Sequence, residues 1–420
     1  MFRVTFFTII CVLLGLCTAS PNAELAKKLL GSRYSNNIHE DAMLDVPDLI
    51  RKYGYPAEVH SVTTEDGYIL EMHRIPHGRN SNSAGGKRSI IFLMHGLLSS
   101  SADWLLMGPG SGLGYILADE GFDVWIGNAR GNYYSRKHVR LNPDSILNTN
   151  FWTFSWDEIG NIDVPTMIDY ALEHTGQKRL HYIGHSQGTT SFFVMTSLRP
   201  EYNDKIISMH AFAPVAYMAH NRNPLLLFIS PYANNIEQIG RLLGIGEFMP
   251  NSAIMTWAGF NLCMDEVIFQ PICSSIVFLI GGWNENQHNA TMLPVIAGHT
   301  PAGASVRQFA HYGQGIDGKE FRRYDQGNVF SNLITYGSTK PPRYDLGKVI
   351  APVFLHYSDS DPLAHVNDVD RLFAELGRPV GKFRIPMASF SHIDFVYGID
   401  AKELLYNRVI NLIRVMDVHG

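Results

Sequence analysis

The run Gly184-His185-Ser186-Gln187-Gly188 sets one hydroxyl between two glycines. A serine hydroxyl is a weak nucleophile until a base takes its proton, and the base needs an acid to orient it. The neighbouring residues suit that chemistry. Leu180-His181-Tyr182-Ile183 reads as a strand and Thr189 to Leu198 as a helix, so Ser186 falls on a tight strand-to-helix turn. A turn this sharp forces strained angles on the serine and tolerates only small residues two positions either side, which accounts for Gly184 and Gly188. It also exposes the hydroxyl at the top of a sheet, where the start of the following helix favours developing negative charge.

The partners are expected downstream, acid before histidine. Asp359 and Asp361 both follow the apolar run Val349 to Tyr357, at a strand end where sites in open α/β sheets assemble. Their spacing does not choose between them. His392, 31 positions after Asp361, lies on Phe390-Ser391-His392-Ile393-Asp394-Phe395, a loop before the last helix. It is expected to take the Ser186 proton and return it to the leaving alcohol, while the acid fixes its tautomer. His95 and His185 are alternative bases, but each adjoins a tight glycine turn that favours a structural hydrogen-bonding role. The oxyanion formed at an ester carbonyl needs amide donors. The backbone N–H groups of Gln187 and of Leu97, in Met94-His95-Gly96-Leu97-Leu98, are in the right places.

These groups need a sheet to hold them. Gly67 to Ile75 alternates apolar and polar residues as a half-exposed strand does, whereas Ser89 to Met94 is continuously apolar like a central parallel strand. Gly121 to Ile126 and Val349 to Tyr357 are further strands. Asp157 to Thr175 is expected to be a helix with Pro165 in a first turn or at a kink, and Leu404 to Met416 a closing helix. Strands alternating with helices predict an α/β-hydrolase arrangement, a mostly parallel sheet with helices on both faces. Ser186 and Asp361 are 175 positions apart, roughly a hundred more than completing the sheet requires. The excess matches a stretch without Lys or Arg between Arg241 and Arg307. It is expected to form a mainly helical cap over the site, spanning 217–341 between core segments 20–216 and 342–420.

The ends and the composition bound the setting. Met1-Phe2-Arg3 followed by the apolar Val4 to Leu16 and the small residues Cys17-Thr18-Ala19-Ser20 reads as a signal peptide over 1–19, too short for a comfortable membrane span. No later segment is a convincing span. Of four cysteines, Cys11 and Cys17 leave with that peptide, and Cys263 and Cys273 are expected to form one local disulfide. They are too few for a structural zinc site without histidines at ligand spacing, so no metal is expected. Asn289-Ala290-Thr291 is a glycosylation sequon. A net charge of -5 gives no reason to expect nucleic acid, although the 18 histidines would charge in an acidic compartment and draw the chain to anionic lipid.

Several motifs together resemble one family, the acid lipases related to gastric and lysosomal acid lipase, including insect lipases. They run along nearly the whole chain after the signal peptide: Ile50 to Glu58 leading into Thr64 to Leu70, His95 to Leu98, Gly127 to Asn132, His181 to Thr190, and Pro301 to Ser305. The family's Asp-x-Leu-Ala matches Asp361 to Ala364 and favours Asp361 over Asp359, and its His-x-Asp-Phe matches His392 to Phe395. The resemblance implies a movable lid, a disulfide at Cys263 and Cys273, and hydrolysis of triacylglycerols or sterol esters at a lipid–water interface without cofactor or metal. It implies secretion or lysosomal delivery and leaves the oligomeric state open. The competing expectations are an esterase of smaller soluble esters and a lipid-binding homologue without catalysis.

Overall fold

The computed structural model describes residues 36–80, 87–251, 281–282, 284 and 286–419. The signal peptide at 1–19, the Cys263–Cys273 pair and most of the apolar stretch before residue 281 lie outside the described residues.

Eight strands carry the architecture: β1 Glu58–Thr63, β2 Tyr68–Ile75, β3 Ile90–Met94, β4 Asp123–Ile126, β5 Leu180–His185, β6 Ile206–Phe212, β7 Val353–Tyr357 and β8 Pro379–Arg384. They lie in the order β1-β2-β4-β3-β5-β6-β7-β8, and the two-residue strand Lys137–His138 pairs with β2. β1, β2 and β4 pair antiparallel; every pairing from β4 through β8 is parallel. Every residue of β3, β4 and β5 is buried, so both faces of the sheet centre are covered. Edge strand β1 alternates between half-buried and exposed. Because β3, β5 and β7 run parallel, their C-terminal ends open on the same edge, and each leads into a loop bearing expected site residues.

Three sequence expectations are corrected in extent. The helix expected over Asp157 to Thr175 is interrupted by a π-turn at Ile159–Asp163, with α1 Val164–Thr175 following. Pro165 has no N–H for the Asn161 carbonyl, and Arg199 Nη1 donates to it instead at 3.4 Å. The strand expected from Val349 begins only at Val353. Pro352 cannot donate to a ladder, and the Ile350 and Ala351 amides are taken by Asn203 Oδ1 at 2.9 and 2.8 Å. The closing helix opens with a π-turn at Lys402–Tyr406 and continues as Asn407–His419. Strands β1, β6 and β8 were not placed by the sequence.

Helix α2, Gln187–Leu198, follows β5 directly. Between β6 and β7 the described elements are mainly helical, including α3 Pro224–Ile229, α4 Ala233–Leu242 and α5 Val306–Gly318. α5 packs on both α3 and α4. Asn289 is half-buried and precedes a 3-10 turn at Ala290–Met292. Among the described residues, no helix is long and apolar enough to cross a membrane.

Candidate active site

Ser186 sits between the last residue of β5 and the first of α2 with φ 52° and ψ −119°, a backbone conformation that costs a non-glycine residue free energy. The cost is tolerated because the surroundings determine the turn on every side. The Ser186 amide donates to Phe212 O on β6 at 3.0 Å. A Cβ on Gly188 would lie 2.2 Å from Met94 O, and one on Gly184 would lie 2.7 Å from the Gly188 carbonyl carbon. Both glycines are therefore required by close backbone approach, and the approach of Gly188 brings the end of β3 against the turn.

His392 Nδ1 lies 2.8 Å from Asp361 Oδ2 and 3.0 Å from Oδ1. The carboxylate only accepts, so Nδ1 carries the proton and the lone pair is left on Nε2. That Nε2 is buried without a hydrogen-bond partner, and His392 and Ser186 line the same cavity. Burial alone would raise the Asp361 carboxyl. The charge and hydrogen bond of His392, with the Ala364 and Leu363 amides, instead hold it below the usual carboxylate range. Both amides donate to Oδ1 at 2.8 Å, so the Asp361 loop locks its own side chain. Asp359 points elsewhere, into an ion pair with Arg384 at the surface.

His185 and His95 have identifiable structural partners. His185 Nε2 donates to the His392 carbonyl at 2.8 Å. His95 Nδ1 donates to Gly96 O at 2.7 Å, while its Nε2 accepts from the Ala129 amide at 3.1 Å. Burial pushes these rings down to about 3 and about 4 respectively, so both are neutral. The Gly96–Leu97 peptide is planar and trans, so holding the Gly96 carbonyl toward His95 turns the Leu97 N–H the opposite way. Gly96 itself adjoins the serine: a Cβ there would be 3.2 Å from Ser186 Cβ. No described backbone carbonyl accepts from the Leu97 amide, and Gln187, in the first turn of α2, has no acceptor within its helix. The Gln187 side chain is tied back by Gln308 of α5, whose Nε2 donates to its Oε1 at 3.0 Å.

Two supporting clusters had no role assigned from sequence. Asp394 accepts from the Ser391 amide at 2.6 Å and from Asn284 Nδ2 at 2.7 Å, clamping the loop on either side of His392. The His-x-Asp-Phe pattern shared with the family was the available signal. Arg130 is buried and bridges Asp163 and Asp66. In the same Gly127 to Asn132 run, Asn128 accepts from the Ser101 amide, and the Ala129 amide holds His95. That run supports the loop after β3.

The cavity over Ser186 encloses about 90 Å³ of free space and opens to solvent. Its walls are mostly aliphatic and aromatic, with Leu225 and Leu226 from α3 and Phe309 and Tyr312 from α5 facing the β3 loop and the His392 loop. The site can accept an extended apolar chain and present its carbonyl to a serine.

Comparisons with known proteins agree with this architecture. Residues 46–108 match a family described as the partial alpha/beta-hydrolase lipase region, and residues 89–229 match the alpha/beta hydrolase fold. Lipase 1 of Drosophila melanogaster is 44% identical over 379 residues, covering 90% of this chain and 81% of that protein. Human lysosomal acid lipase/cholesteryl ester hydrolase is 38% identical, covering 90% of this chain and 92% of its own length. Bovine gastric triacylglycerol lipase is 37% identical, with 89% and 91% covered. At this identity over nearly the whole length, the chain belongs to the α/β-hydrolase family of acid lipases that these gastric, lysosomal and insect proteins represent.

Proposed function

We propose that the protein is a lipase that hydrolyses carboxylic esters of neutral lipids, triacylglycerols or sterol esters, through an acyl-enzyme. Ser186 Oγ attacks the ester carbonyl as His392 Nε2 takes its proton, and Asp361 steadies the imidazolium. The Leu97 and Gln187 amides receive the oxyanion, and His392 returns the proton to the departing alcohol. Water then attacks the acyl-serine by the same route in reverse, so the scheme needs no metal or cofactor. The observation that carries this reading is the His392–Asp361 hydrogen bond, which leaves a buried, unpartnered Nε2 in the cavity shared with Ser186.

The helical region 217–341 is read as a cap, supported by α3 and α5 supplying cavity wall. The apolar lining and the names of the relatives support a lipid substrate at an interface. Removal of a signal peptide over 1–19, a Cys263–Cys273 disulfide, a glycan on Asn289 and a secreted or lysosomal location complete the proposal. The test is labelling with a serine-directed fluorophosphonate alongside hydrolysis of emulsified triolein, cholesteryl oleate and a short soluble ester. Labelling and lipid hydrolysis that both vanish in Ser186→Ala are expected. Labelling that survives in that variant removes Ser186 as nucleophile, and equal rates on monomeric and emulsified substrate favour a soluble-ester esterase.

A further inference from the structure

The cavity wall is apolar almost throughout, yet one part of it is acidic. Asp103, on the loop after β3, is buried and lines the cavity, as do buried Ser99 and Tyr397 and half-buried Thr300. No Lys, Arg or His pairs with Asp103 among the described residues. Tyr397 donates its hydroxyl to Asp103 Oδ1 at 2.5 Å and lies 3.4 Å from Thr300 Oγ1. The Ser99 hydroxyl lies beside the same carboxylate, buried, with no hydrogen bond of normal geometry. A carboxyl group buried without a cation is costly even with two hydroxyls beside it. The scheme proposed for ester cleavage uses none of these groups. A ligand hydroxyl would ease that cost, because it donates to the carboxylate and accepts from the Ser99 hydroxyl at once.

We propose that Asp103, Ser99 and Tyr397 form a subsite for a free hydroxyl on the alcohol part of the ester. This subsite favours partial glycerides, which keep such a hydroxyl, over esters of wholly apolar alcohols. The inference rests on the lipase reading and adds partial glycerides to its substrates, ahead of sterol esters. A sterol or wax ester entering the same space would leave the Asp103 and Ser99 groups facing hydrocarbon. A site built to bond a hydroxyl rejects the analogue lacking it more strongly than an apolar wall rejects an added one.

The test compares kcat/KM on mono-olein and on cholesteryl oleate for the full chain and for Asp103→Leu and Ser99→Ala. The expected result is a fall in the mono-olein to cholesteryl oleate ratio of about 10- to 100-fold in Asp103→Leu, the size of losing a hydrogen bond to a charged group. The fall should appear mainly in KM. Ser99→Ala, which leaves the Asp103–Tyr397 pair in place, is expected to lower the same ratio several-fold. A ratio unchanged within twofold in both variants overturns the subsite, whether both activities fall together or neither does. A wild-type chain that labels with fluorophosphonate but hydrolyses neither ester overturns the lipase reading and the subsite with it.

Discussion

Asp361 and Asp359 are two residues apart on one loop, and their environments separate them completely. Asp361 is buried against His392 with two amides on Oδ1, whereas Asp359 pairs with Arg384 in solvent. Asp361→Asn is expected to lower kcat by roughly 10³- to 10⁴-fold, because an amide no longer dictates the histidine tautomer. Asp359→Asn should stay within about twofold, since a solvent-exposed pair contributes little. Steady-state kinetics on one emulsified ester checks both. His95 makes a different prediction. Because its bond to Gly96 O aims the Leu97 amide, His95→Ala should cut kcat by about 100-fold with KM nearly unchanged, the lower end of losing one oxyanion donor. A matched rise in KM would instead indicate a collapsed cavity.

At the scale of elements, the site depends on backbones that approach more closely than side chains permit. The π-turn at Ile159–Asp163 rests against α2, the helix that follows Ser186. A Cβ on Gly160 would fall 2.6 Å from Val194 Cβ and 2.7 Å from Ser191 O. Gly160→Ala is therefore expected to destabilise the fold by about 1–3 kcal/mol, read as a lower midpoint in urea unfolding. Periodicity revealed the helix here but not its interruption. Pro165 did mark a first turn or a kink, and α1 starts with it in the first turn; the contact with α2 that accompanies the π-turn is not visible along one segment. Strand β1 was missed for a related reason. It is an edge strand with no fully buried residue, so its sequence carries little apolar signal.

Across the whole molecule, buried ionisable groups set opposing pH dependences. Burial drives His185, His311 and His356 down to about 3 and His95 to about 4. The unfolded chain binds these protons near pH 6.5. Stability from the neutral rings is thus fully present above pH 6.5 and is lost as pH falls toward 4, by about 1.4 kcal/mol per pH unit for each ring not offset. Asp103, Asp157 and Asp394 act the other way. Burial raises all three to about 6, so the strain of their charged forms is relieved as pH falls from 6 toward the unfolded value near 4. The rings outnumber the acids, so the unfolding temperature should drop between pH 6.5 and pH 4 in calorimetry. A flat profile would mean that the acids cancel the rings in full. The same burial corrects a charge argument made from composition. Eight histidines are held below their ordinary value, so the chain gains less positive charge on acidification than 18 free imidazoles would supply.

The tight strand-to-helix turn at Ser186, its glycine flanks and the fold class were legible in the sequence, because each is imposed by local geometry. A strand-to-helix turn that exposes a serine needs small neighbours, and central parallel strands read as unbroken apolar runs. The sequence also carried the family resemblance, which favoured Asp361. What only the tertiary structure decided is which groups converge. It brought His392 against Asp361, turned Asp359 to Arg384, set His95 on the Gly96 carbonyl and gathered Asp103, Ser99 and Tyr397 in one part of an apolar cavity. His95 and Gly96 are neighbours, but the other sets bring together separate loops, Asp103 and Tyr397 across 294 positions, and no spacing rule relates residues that meet only when such loops close over the end of a sheet.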